Sequence, residues 1–177
     1  MSSDISNEDY QKICKKYPEL AEIGFEFLGP KIWILFNALK NGSINETSIA
    51  HNPCASLMEN HVDFGQVRTI MSELVENGLL VEFSDTHKLS DRVAYTLQQL
   101  SFDLTQQLRG ANDGHIKELI RKCGYSSQYL TQSITDELSG DDNNKRSSRF
   151  KELMSEVAYS GLKLLVTLMN KTTDNIS

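Results

Sequence analysis

From Ser6 onward, short apolar-periodic stretches alternate with polar punctuation, and the spacing predicts a mostly helical chain. Ser6, three residues before Asp9, caps a helix carrying Tyr10, Ile13, Cys14 and Tyr17 on one face. Pro18 suits the first turn of a second helix, PELAEIGFEFL, which Gly29 ends. Pro30 opens IWILFNALKNG, where Ile32, Trp33, Leu35, Phe36 and Leu39 run nearly continuously, so burial on more than one side is expected before Asn41-Gly42 stops the helix. Ser43 and Glu46 have capping-box spacing for a short helix through Ala50, and Asn52-Pro53 restarts the chain for a turn or two, CASLMEN. Asp63 and Gln66 offer a second box for FGQVRTIMSELVENG, with Val67, Ile70, Met71, Leu74 and Val75 on one face and Asn77-Gly78 as the C-cap.

The period then turns extended. LLVEF (79–83) and RVAYTL (92–97) are rich in β-branched and aromatic residues and predict two strands, with the polar stretch Ser84–Asp91 as a hairpin loop. Helix resumes near Gln98 with Leu100, Leu104 and Leu108 at four-residue spacing. Beyond Gly110 two helices, HIKELIRKC and SSQYLTQSITDEL, precede a polar linker at 139–148. In the last helix Phe150, Met154, Val157, Gly161, Leu164 and Leu168 alternate at heptad spacing, while Leu153, Leu162, Leu165 and Met169 widen the stripe. A face that wide needs two neighbours, so a homodimer paired through a helix at 149–170 is expected.

Helix, helix, helix, strand, polar loop, strand, helix is the order of a winged helix-turn-helix. The segments FLGPKIWILFNALKNG, FGQVRTIMSELVENGLLVEF and RVAYTLQQLSFDLTQQL resemble three successive blocks of the HxlR-type and broader MarR/ArsR-like transcription regulators. The resemblance covers residues 20–108 and includes Lys31-Ile32-Trp33 near the start of the first core helix. It departs between Gly42 and Asp63, where HNPCASLMEN reads as an insertion within the motif. The fold class expected is mainly α with a small two-stranded β-wing, a winged helix-turn-helix with additional N- and C-terminal helices. Its parts are N-terminal helices at 1–28, the DNA-binding unit at 29–110 and a C-terminal helical region at 111–177. The resemblance implies a dimeric, sequence-specific regulator of transcription, with helix 63–77 in the major groove of double-stranded DNA and wing 84–92 on the backbone.

On helix 63–77 the apolar face leaves Gln66, Arg68, Thr69 and Ser72 outward: Gln66 and Arg68 suit adenine and guanine, and Thr69 and Ser72 suit phosphate or a thymine methyl. In the wing, His87, Lys88 and Arg92 are the expected phosphate or minor-groove contacts.

Charge tempers this picture. The 177 residues hold 18 Lys and Arg against 24 Asp and Glu, a net charge of −6, and no segment has a basic surplus. Asp63, Glu73 and Glu76 stand on the proposed reading helix itself, where they repel phosphate. The alternative is therefore a winged-helix module that binds a protein partner, as antagonist or adaptor, instead of DNA. A ligand- or thiol-responsive regulator is a further alternative. For that role Cys14, with Lys12, Lys15 and Lys16 nearby, is weighed against an ordinary buried cysteine. His51, Cys54 and His61 lie within eleven residues but lack a fourth ligand, so no metal and no cofactor is expected. The three cysteines have no CxxC pairing, and no apolar run of membrane-spanning length or signal-peptide pattern occurs, so the expected setting is the cytoplasm, with no membrane partner. The absence of a Gly-rich phosphate loop, GxSxG or HExxH gives no reason to expect an enzyme.

Overall fold

A computed structural model describes residues 6–52, 55, 62–108 and 166, with 104–108 described by their backbone alone. The described chain is mainly helical with one small antiparallel hairpin. Its elements are α1 (Asn7–Lys16), a 3-10 turn (Pro18–Glu22), α2 (Leu28–Asn41), α3 (Glu46–Ala50), α4 (Phe64–Glu76), β1 (Leu80–Phe83), β2 (Thr86–Leu89) and α5 (Asp91–Leu108).

One core joins these elements. Ile32, Trp33, Ile34, Leu35 and Phe36 are all buried, so α2 is enclosed on every side. Around it pack Ile13 and Leu20 from the N-terminal segment, Val67, Ile70, Met71 and Leu74 from α4, and Val93, Leu97 and Leu100 from α5. Val166 is helical and buried in the same core. The remainder of the C-terminal region, including the heptad positions Phe150, Met154, Val157, Gly161, Leu164 and Leu168, lies outside the described residues.

Cap chemistry sets the ends of α4. Asp63 Oδ1 accepts from the Gln66 amide at 2.8 Å while Gln66 Oε1 accepts from the Asp63 amide at 3.1 Å, so the expected capping box is present. At the other end Gly78 takes φ +78°, and the Leu79 and Gly78 amides donate to Leu74 and Val75 carbonyls at 2.9 and 3.1 Å, closing a Schellman motif over the buried Leu74–Leu79 contact.

Four expectations need correction. The expected second helix, PELAEIGFEFL, is only the 3-10 turn; Gly24 at φ +84° and Phe27 at φ 55° break it. The Ile23 carbonyl there is taken by the Lys31 ammonium at 2.9 Å instead of a helical amide. Gly29 and Pro30 do not separate two helices but lie in the first turn of α2, where a missing N–H costs little. The α3 capping box is Asn45 with Ser48, not Ser43 with Glu46, because Ile44 is extended and bridged to His87 through paired backbone bonds of 2.9 and 2.7 Å. Finally, RVAYTL is helical. The second strand is Thr86–Leu89, inside the expected loop, and a two-residue Ser84-Asp85 turn joins it to β1, with Ser84 at φ 60°. Val93, Leu97 and Leu100 then form one buried helical stripe on α5.

Candidate functional site

The outer edge of α4 is solvent-exposed at Phe64, Gln66, Arg68, Thr69 and Ser72, as the periodicity requires. Three of the polar side chains there, Gln66, Arg68 and Thr69, have local commitments. Gln66 uses one lone pair of its amide oxygen in the capping box, so in a bidentate contact to adenine that oxygen has to serve the Asp63 amide as well. Thr69 folds its hydroxyl back onto the Gly65 carbonyl at 3.1 Å. Arg68 pairs through Nε with Glu46 Oε2 at 3.3 Å, across from the first residue of α3, and its guanidinium lies 6.0 Å from the Phe64 ring. A guanidinium has two further nitrogens, so the pair leaves hydrogen-bonding capacity free.

Glu73, expected to repel phosphate, is matched. Lys31, only 1% exposed, reaches from α2 to place Nζ 3.1 Å from Glu73 Oε1 and 2.9 Å from the Ile23 carbonyl oxygen. One buried ammonium thus ties α4 to the end of the 3-10 turn.

The hairpin residues separate. His87 sits mid-strand with Nε2 3.6 Å from Glu82 across the ladder, and its Nδ1 is buried without a hydrogen-bond partner. Lys88 is exposed and rests over the Phe83 ring at 5.0 Å. Arg92 is not in the hairpin: it lies in the first turn of α5 and pairs with Glu22 at 2.8 Å, because the helix begins at Asp91. The carboxylates Glu46, Glu82 and Asp85 accompany these cations, and Val81 and Phe83 are exposed on the same face of β1.

Cys14 is buried on α1, and burial pushes its thiol pKa up. Burial and a raised pKa both lower the reactivity of a thiol. His51 is exposed with Nδ1 3.0 Å from the Thr47 carbonyl oxygen; Cys54 and His61 lie outside the described residues. Among the described residues no three His, Cys, Asp or Glu side chains are grouped to hold a metal ion, and no helix is long and apolar enough to cross a membrane.

Periodicity locates the outer edge of α4 but gives no sign of its two ion pairs, which join residues 22 and 42 positions apart. The chain matches no family model, no curated protein and no solved structure.

Proposed function

We propose that this chain is a winged-helix transcription regulator that binds DNA as a homodimer, with α4 in the major groove and the β1–β2 hairpin on the backbone. The observation that carries the reading is the α3–α4 pair. α4 is capped at both ends and anchored by its apolar face, its outer edge is exposed over three turns, and the following hairpin is pinned to Ile44 ahead of α3. The heptad stripe read from the sequence at Phe150, Met154, Val157, Gly161, Leu164 and Leu168 supports the dimer.

In this reading Arg68 is the principal base reader and exchanges Glu46 for guanine on binding. Lys88 supplies phosphate contact. In a fluorescence-anisotropy titration of labelled duplexes, Arg68→Ala is expected to lose about 1–3 kcal/mol against the specific site and little against random DNA. Lys88→Ala is expected to weaken both alike and to lower the salt dependence. Identical titrations for Arg68→Ala and the parent protein would refute the assignment.

One observation favours the second reading, a protein-binding module. Arg68 is matched by a carboxylate, and β1 presents exposed Val81 and Phe83 side by side. An apolar strip bordered by acid suits a protein partner better than a phosphate backbone.

A further inference from the structure

Away from α4, a groove of about 530 Å³ runs between the segment Lys16–Glu19 and the first three turns of α5. That volume lies within the range of small-molecule sites, roughly 300–1,000 Å³. Its wall on the α5 side carries Tyr95, 71% exposed, the most exposed large hydrophobic side chain among the described residues. Asp103 lies at one end of the groove and Asp91 at the other.

The charge in this groove is unbalanced. Asp103 is held in place by neutral donors alone: the Tyr17 hydroxyl donates to Oδ2 at 2.7 Å and the Gln99 amide to Oδ1 at 3.0 Å. Tyr17 is buried, and burial together with the adjacent Asp103 carboxylate raises its pKa, so it stays a donor throughout the physiological range. Among the described residues Glu19 accepts from Thr96 alone, at 3.3 Å. Arg92 is taken by Glu22, and Lys16 stands over the Tyr17 ring at 5.8 Å. Neither Asp91 nor Asp103 has a cationic partner among the described residues. The groove therefore combines an accessible aromatic face, an oriented carboxylate and a surplus of negative charge.

We propose that this groove binds a small planar organic cation, an amidinium or aryl-ammonium compound, with its charge toward Asp103 and its ring against Tyr95. Cation–π attraction and carboxylate pairing act together in such a complex, and a carboxylate already oriented by two donors loses little freedom on binding. The assignment is independent of DNA binding, since none of these groups belongs to α4 or the hairpin.

Benzamidine, benzamide and benzoate have nearly the same shape and carry positive, zero and negative charge. Titrating each into the full chain at low salt, with two-dimensional NMR amide shifts as readout, is expected to give benzamidine at least about tenfold tighter than benzamide, with shifts centred on residues 16–19 and 91–103, and no benzoate binding. Tyr95→Ala, at an exposed position, and Asp103→Asn are each expected to weaken benzamidine about fivefold. Equal affinity for benzamidine and benzamide, shifts centred elsewhere, undiminished binding by Tyr95→Ala, or no benzamidine binding would each overturn the proposal.

Discussion

Replacing Glu73 by Ala strands the Lys31 ammonium in the core with only the Ile23 carbonyl oxygen as partner. The pair is 3.1 Å apart, one side chain 1% exposed and the other 44%. Coulomb attraction at that distance is about 5 kcal/mol at an effective dielectric of about 20 and about 1 kcal/mol in water. Because solvent reaches Glu73, the loss falls between these bounds, and about 2 kcal/mol is expected, less than the roughly 3–5 kcal/mol typical of a fully buried pair. Glu73→Gln keeps an acceptor for the ammonium and should lose about half as much. The double variant Lys31→Met with Glu73→Ala removes the buried charge while keeping an apolar stem, so it should be more stable than Glu73→Ala alone. Urea unfolding followed by the fluorescence of Trp33, the single and fully buried tryptophan, measures each loss. A loss below about 0.5 kcal/mol for Glu73→Ala, or a double variant less stable than Glu73→Ala, would refute the assignment of Lys31–Glu73 as a stabilising tie between α2 and α4.

Alkaline stability follows from two buried tyrosines. Tyr10 is pushed above its ordinary value of 10.0 by burial and by Cys14, and Tyr17 by burial and by Asp103. Groups with a raised folded pKa stabilise the fold fully below the unfolded value, and that stability is lost as pH rises beyond it. Urea midpoints should therefore fall above about pH 10, and Tyr17→Phe should flatten the fall; an unchanged slope would contradict the burial argument. Cys14, with its thiol pKa raised by burial, should resist iodoacetamide in the native protein and react on unfolding. Peptide mapping that finds Cys14 alkylated in the native state as fast as in urea would be the opposite result.

α4 is legible in the sequence because its signals agree. The apolar spacing, Asp63 with Gln66, and Asn77-Gly78 all mark the same boundaries. The hairpin is not legible in the same way. Thr86–Leu89 is short and polar, and its pairing with β1 and with Ile44 comes from tertiary contacts that no local propensity reports. RVAYTL misleads because Val93 and Tyr95 are β-formers, yet Val93 and Leu97, four apart, face the core together as helical neighbours. Pro30 misleads for a different reason: a proline ends a helix from within but is tolerated in its first turn. At the candidate site, sequence locates the exposed residues of α4 but not their electrostatics. Glu73 reads as a repulsive charge until Lys31, from another helix, is found against it. Arg92 reads as part of the hairpin until α5 begins one residue earlier.

The central claim is that α4 reads DNA within a symmetric dimer. Repeated selection from a random-sequence duplex library, with the complex then weighed by light scattering, tests it most directly. The account predicts enrichment of a two-fold symmetric site with half-sites about one helical turn, roughly 10 base pairs, apart, bound by two 20.0 kDa chains and weakened by Arg68→Ala. No enriched sequence and no duplex binding even at low salt would contradict it and leave the apolar strip of β1 as the functional surface.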